Sequence, residues 1–228
     1  MSPSLDEKRI LITSGPTRAD IDAVRYISNR SSGKLGSRIA IEAVALGAHV
    51  TMLAGPDSIV PEPEDVSSEE WNRLRIERIE TVFDLLQTLE NELSKKQRYV
   101  AVIHAMAVLD YVPEADHTRK IASGKDRLTL QLSRTPKVIR QIKDWSPRTL
   151  LVGFKLEIDE SRDRLREIAT SLIRNSRADL AVGNNLSEIR DEKHPAIIVN
   201  RQGSILAEPG TKSEIAIELC SIISRSLA

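Results

Sequence analysis

Three groups of residues could do chemistry, and all three point to small anionic ligands. Ser31-Ser32-Gly33-Lys34 leads straight into an apolar helical pattern, so backbone N–H groups, two hydroxyls and an ammonium would converge on one point. That suits an anion, although the same residues would also serve as an ordinary Ser N-cap. Asp110 closes the run His104-Ala105-Met106-Ala107-Val108-Leu109-Asp110. Small side chains there let a ligand approach the backbone, and one carboxylate among anionic ligands could hold a cation; a plain turn aspartate is the alternative. Lys120-Ile121 begins a hairpin-like stretch, where a lone lysine is either a ligand-binding arm or solvated surface.

Spacing excludes the commoner phosphate binders. A dinucleotide fingerprint needs G-x-G-x-x-G in a tight turn after the first strand and an acidic residue ending the second. Here Gly15 and Gly33 stand 18 positions apart, and the second strand ends Leu53-Ala54-Gly55. The GxxxxGK[ST] spacing of a P-loop is missing as well. The single cysteine, Cys220, sits in an apolar helical pattern, and His49, His104, His117 and His194 lack metal-ligand spacing, so no zinc or disulfide framework is expected.

These groups need a scaffold, and the apolar pattern supplies one. Short continuous runs at Arg9 to Thr13, His49 to Leu53, Arg75 to Ile79, Tyr99 to Ile103, Leu150 to Phe154 and Asp179 to Val182 predict strands buried on both faces. Helical patterns alternate with them: Lys34 to Leu46, a helix capped by Thr81 and ending in Lys95-Lys96, Lys137 to Asp144, Glu160 to Arg174, and Lys212 to Leu227. Residues 57–72 read as a solvated acidic loop. Leu128, Leu130 and Leu132 alternate with polar residues after a Ser123-Gly124-Lys125 turn, which predicts a half-exposed hairpin, and 196–206 predicts a closing hairpin. The expected fold is α/β: a Rossmann-like, mostly parallel sheet between helices, with a projecting β-hairpin flap. Ligands on such sheets bind beyond the carboxyl ends of the strands, which is where all three groups fall. The first of these loops, 14–33, is far longer than the ~2 to 6 residues usual there, and unusual length favours binding.

Composition limits the partners. The 228 residues carry 33 Lys+Arg against 33 Asp+Glu, so a basic nucleic-acid footprint is absent. The longest apolar run, Val100 to Leu109, is half the ~20 residues of a membrane span. No signal-type apolar region opens the chain, and a cytoplasmic protein is expected.

The segment Asp22-Ala23-Val24-Arg25-Tyr26-Ile27-Ser28-Asn29-Arg30-Ser31-Ser32-Gly33-Lys34 resembles the D-x-V-R-x-I-S-N-x-S-S-G-K block of the phosphopantothenoylcysteine synthetase family. Ala107 to Tyr111, Lys120-Ile121, Val152 to Glu157, Asp179 to Leu186 and Lys212 to Ala216 match its other motifs, so the resemblance covers essentially the whole chain. It implies a ligase that joins 4′-phosphopantothenate and L-cysteine in coenzyme A biosynthesis. The route would be an acyl-nucleotidyl intermediate made from a nucleoside triphosphate, with pyrophosphate released. By the same resemblance, Arg25, Asn29, Ala107 and Asp110 would bind phosphopantothenate, with Arg25 supplied by the neighbouring subunit of a homodimer with shared active sites. Gly15, Ser31, Ser32, Gly33 and Lys34 would cradle nucleotide phosphates, Lys120 would close on them with the flap, and Phe154 would flank the base. Asn29 and Lys120 would act in catalysis, and Asp110 is the expected ligand of Mg²⁺. CTP is expected rather than ATP, although Lys120-Ile121-Ala122-Ser123 is closer to the eukaryotic flap, and Met106 and Asn185 stand where the family has alanine and aspartate. Residues 1–228 are expected to form a single, monofunctional synthetase domain, with 113–135 as a flap and dimerisation element. A nicotinamide-dependent oxidoreductase, or a module that binds nucleotide without releasing pyrophosphate, are the competing readings.

Overall fold

The computed structural model describes residues 3–94, 98–114, 119–122, 124, 126–190 and 192–227. In chain order its elements begin with β1 (Arg9–Ser14), β2 (Arg18–Asp20), β3 (Tyr26–Ser28), α1 (Lys34–Ala45), β4 (His49–Ala54) and α2 (Ser68–Trp71). They continue with β5 (Leu74–Arg78), α3 (Val82–Leu93), β6 (Ala101–His104), β7 (Tyr111–Pro113), β8 (Leu132–Arg134) and α4 (Val138–Trp145). The last are β9 (Leu150–Glu157), α5 (Arg162–Ser176), β10 (Leu180–Asn185), β11 (Ile197–Asn200), β12 (Ile205–Ala207) and α6 (Lys212–Leu227).

The main sheet runs β12-β11-β10-β9-β6-β1-β4-β5. From β10 to β5 every neighbour is parallel, while β11 and β12 return antiparallel. The chain leaves β1 toward β4 on one side and comes back to β6 on the other, so the loops after β1 and β6 diverge and open a crevice between them.

Alternation within the buried strands explains the layers. Ile10 and Ile12 of β1 face α1 and α6, together with Val50, Met52 and Ile103. Leu11 faces the opposite way, with Leu53 and Val102, onto α3, α4 and α5. α1 presents Ile39, Ala40, Ala43 and Val44, the one-face spacing of an amphipathic helix, and packs along α6. Cys220 of α6 is buried in that seam, its Sγ 3.9 Å from the Ile39 carbonyl, and burial pushes its thiol pKa well up. The Thr81 cap is as expected, a capping box with Asp84. No helix among the described residues is long and apolar enough to cross a membrane.

Four expectations are corrected. Residues 15–33 are not a plain loop, because β2 and β3 form a small antiparallel hairpin within them. In the flap, Leu132–Arg134 pair with Tyr111–Pro113 and the Glu114 N–H reaches the Gln131 carbonyl at 3.0 Å, while Leu128 and Leu130, expected in the strand, lie outside it. The acidic segment 57–72 contains α2, capped by Ser67, and its Ser58 is buried. β9 runs three residues further than predicted, because β10 keeps pairing with it out to Asn185↔Glu157. Lys95-Lys96, Ser123 and Lys125 lie outside the described residues.

Candidate active site

The crevice is built first by glycine. Gly15 and Gly33 both take positive φ (79° and 74°), and Ser58 packs against both. A Cβ on Gly15 would lie 1.7 Å from Ser58 Oγ, and one on Gly33 2.8 Å from Ser58 Cβ, so neither position accepts a side chain. The turn is closed by Ser14 Oγ donating to the Gly33 carbonyl at 3.1 Å, which pins the start of α1 over the end of β1. Neither serine takes the capping position, the alternative reading of this motif: Gly33 is the capping residue and has no side chain to cap with. Apart from that of Lys34, the first-turn N–H groups of α1 are therefore available, at the positive end of the helix dipole, with Lys34 as the first helical residue. Ser31 and Ser32 precede it at the surface; Ser32 Oγ accepts from the Lys34 N–H at a long 3.4 Å.

Across the crevice, the loops after β1 and β6 are laced together. The Ala107 N–H donates to the Gly15 carbonyl at 2.8 Å, and the Leu109 N–H to the buried Thr17 hydroxyl at 2.9 Å. Asn29 donates both N–H bonds of its amide, one to the Ala107 carbonyl and one to the Val108 carbonyl. Two carbonyl partners fix the amide orientation and leave Oδ1 as its remaining acceptor. Beneath them Thr13 Oγ1 bonds His104 Nδ1 at 2.8 Å, and burial pushes the His104 pKa down to about 4, so the imidazole is neutral.

Asp110 stands at the far wall, half-exposed, with Oδ1 2.6 Å from Lys137 Nζ. Its Oδ2 has no partner among the described residues. No cluster of three or more His, Cys, Asp or Glu able to hold a metal occurs among them. One carboxylate nonetheless fits Mg²⁺ carried on a nucleotide, because that ion keeps several waters and takes one or two carboxylates plus substrate phosphates.

Asp22 is the hub that sequence reasoning passed over. Its buried carboxylate accepts from the N–H groups of Val24, Arg25 and Ile121 at 2.9, 2.8 and 3.0 Å. The Arg25 guanidinium completes the set, with Nε at 3.0 Å, and also donates to the Ile121 carbonyl at 3.2 Å. Arg25 first, and the Ile121 N–H next, hold the Asp22 pKa far below the usual carboxylate range. The β2–β3 hairpin thus grips the base of the flap at Ile121, next to exposed Lys120. Arg25 is engaged with its own chain here. The aspartate-turn spacing Asp22-x-x-Arg25 is the signal that could have found it. Thr17, Ser58 and Lys137 carry no comparable local signal.

Phe154 is half-buried in the middle of β9, packed against the layer of α1 and α6. Asn185 explains one departure from the family pattern: it donates to the Glu160 carbonyl at 2.9 Å and accepts from the Glu160 N–H at 3.3 Å, a pairing that an aspartate could not complete.

Fold and crevice define a class, an open parallel α/β protein with an uncapped helix N-terminus at its switch point and no dinucleotide fingerprint. Within it, the chain belongs to the DNA/pantothenate metabolism flavoprotein C-terminal domain family, whose model matches residues 5–227. It is 38% identical over 224 residues to the coenzyme A biosynthesis bifunctional protein CoaBC of Thermococcus kodakarensis, covering 98% of this chain and 53% of that protein. The chain thus spans about half the length of the curated relatives it matches. Two solved structures are similar over nearly their whole length. The DNA/pantothenate metabolism flavoprotein from Streptococcus pneumoniae has a TM-score of 0.86 and 32% identity, covering 96% of this chain and 99% of that one. The C-terminal domain of a CoaBC protein has a TM-score of 0.78 and 30% identity, covering 99% and 98%.

Proposed function

We propose that the protein is a nucleotide-dependent ligase of coenzyme A biosynthesis, joining 4′-phosphopantothenate to L-cysteine. The observation that carries this reading is the uncapped α1 N-terminus with Lys34, set across the switch point from Asn29 and Asp110. A triphosphate, a phosphate monoester and a reacting carboxylate must meet there against their mutual repulsion, and fixed N–H groups and lysines are what offset it.

In the first step a carboxylate oxygen of phosphopantothenate attacks the α-phosphorus of the nucleotide. The bond to the β-phosphate oxygen breaks and pyrophosphate leaves. Gly15, Ser31, Ser32, Gly33 and Lys34 cradle the phosphates, Lys120 closes over them, and Phe154 flanks the base. Asp110 would hold Mg²⁺, which supplies charge neutralisation on the phosphate oxygens. In the second step the cysteine amine attacks the acyl carbon, the nucleoside monophosphate leaves, and the amine loses a proton. Asn29 offers Oδ1 to an N–H of the incoming amine; the commitment of both its N–H bonds to Ala107 and Val108 supports a role in this second step.

The nucleotide is CTP in this reading, the protein is cytoplasmic, and residues 113–135 serve as flap and dimer contact, with Arg25 reaching phosphopantothenate in a shared homodimer site. For that, Arg25 must exchange its contact with Ile121 for the ligand. Pyrophosphate release measured with CTP, ATP, GTP and UTP, each with phosphopantothenate and Mg²⁺, tests reaction class and base together. Release with CTP above the others is expected; no release with any of them sinks the ligase reading.

A further inference from the structure

A second polar group sits near Lys34: Lys212, which the sequence marked only as the start of a matched motif and gave no role, and His194. Lys212 opens α6 as Lys34 opens α1, and the two helices pack side by side. The Lys212 pKa is lowered, by burial first and by the charge of Lys34 second. Two like charges at neighbouring helix N-termini, each the positive end of a dipole, oppose folding unless something negative lies between them. Glu192, 3.5 Å from Lys34, is the one carboxylate that ion-pairs either lysine among the described residues, and its side chain is 87% exposed.

His194 is an independent sign. It is 8% exposed, and its backbone N–H is bonded to the Gly210 carbonyl at 2.7 Å, just ahead of α6. Asn184, near the end of β10, turns its Nδ2 amide onto His194 Nε2 at 3.1 Å. Nε2 therefore accepts, and the proton of the neutral ring sits on Nδ1. Burial and the Lys212 charge keep that ring neutral, its pKa pushed down to about 4. Nδ1 is buried and bonds nothing among the described residues. Native structures rarely leave such a donor unpaired, and an unpaired one asks for a missing partner. Two ammoniums, the orphan ring N–H and the uncapped amides of α1 are all donors; the missing partner is an anion with several oxygens.

We propose that Lys34, Lys212 and His194 form a seat for the pyrophosphate end of a nucleoside triphosphate, with Lys212 and His194 as further nucleotide-binding residues. The identity of the ligand rests on the ligase reading; the seat itself rests on the geometry. It lies on the α1 and α6 side of the sheet, the side on which Phe154 packs, so base and terminal phosphates fall along one face. Glu192 is exposed enough to swing away as the anion enters. Charge that builds on the departing pyrophosphate would then be met by groups already fixed in place.

Titration calorimetry of the full chain with Mg²⁺ and inorganic pyrophosphate tests this. Lys212→Gln and His194→Leu should each weaken binding about tenfold or more. Lys212→Arg and His194→Gln, which keep the charge and the N–H, should bind like the wild type, and Lys193→Gln, an exposed neighbour, should change nothing. In turnover, Lys212→Gln should raise KM for nucleotide more than it lowers kcat, at a melting temperature no lower than that of the wild type. Wild-type affinity in both loss variants, or no pyrophosphate binding by the wild type, overturns the seat. Binding that follows the variants while no nucleotide releases pyrophosphate keeps the seat and removes the ligase.

Discussion

The amide of Asn29 is bonded to two successive carbonyls, those of Ala107 and Val108, each at 3.1 Å, and so ties the loop after β1 to the loop after β6. One side chain ties the two loops and keeps Oδ1 as its remaining acceptor.

Asn29→Ala should therefore slow cysteine capture far more than nucleotidyl transfer, and acyl-nucleotide should accumulate. Mass spectrometry of a single-turnover mixture checks this; near-normal turnover with no intermediate would show that Asn29 has another role. Loss of two exposed hydrogen bonds should cost about 1 kcal/mol of stability.

The flap is held at Ile121 by Asp22 and Arg25. Asp22→Asn should loosen that grip, lower the melting temperature and raise KM for nucleotide by releasing Lys120. The depressed Asp22 pKa also sets an acid limit. Its stabilisation is complete above the unfolded value of ~4 and is lost as pH falls below it. Chemical denaturation from pH 5 downward should show a shallower loss in Asp22→Asn than in the wild type.

His104 works in a higher window. Its folded pKa of about 4 lies below the unfolded ~6.5, so between these values only the unfolded chain takes up the proton. Stability should fall as pH drops from ~6.5 toward 4, by roughly 2–3 kcal/mol from this group. His104→Gln should flatten that stretch of the pH–stability curve; an unchanged slope would mean that the buried imidazole is not its source.

Ser58 and Gly15 should show strong coupling. Gly15→Ala places a methyl on the Ser58 hydroxyl and should destabilise by about 2–4 kcal/mol, through crowding and the positive φ together. Adding Ser58→Gly should return the crowding part but leave ~1 kcal/mol of backbone strain. A double-mutant cycle on urea midpoints reads the difference, and additive effects would refute the contact.

The buried strands β1, β6 and β10 were legible because continuous apolar runs have few alternatives, and Thr81 because a capping box is local. The β2–β3 hairpin was not. Its strands are three residues long, and what holds them is the Asp22 carboxylate, the Arg18–Glu80 ion pair and Arg18 stacked 5.0 Å over Tyr26. Ser31 to Lys34 was legible as a motif leading into a helix, but that Gly33 rather than a serine takes the capping position depends on the Gly33 φ angle. Ser58, Lys137, Lys212 and His194 reach the crevice or its margin from distant segments, and only the folded sheet brings them together.

Cys220 takes on a meaning from the chemistry proposed nearby. A ligase that uses free cysteine also meets cystine, its oxidised form, whose disulfide an exposed protein thiolate would attack. The one thiol of this chain is sealed between α1 and α6, with its pKa raised so that almost no thiolate forms. Sealed and protonated, Cys220 is kept from mixed disulfides with the oxidised form of the amino acid that the proposed reaction would use.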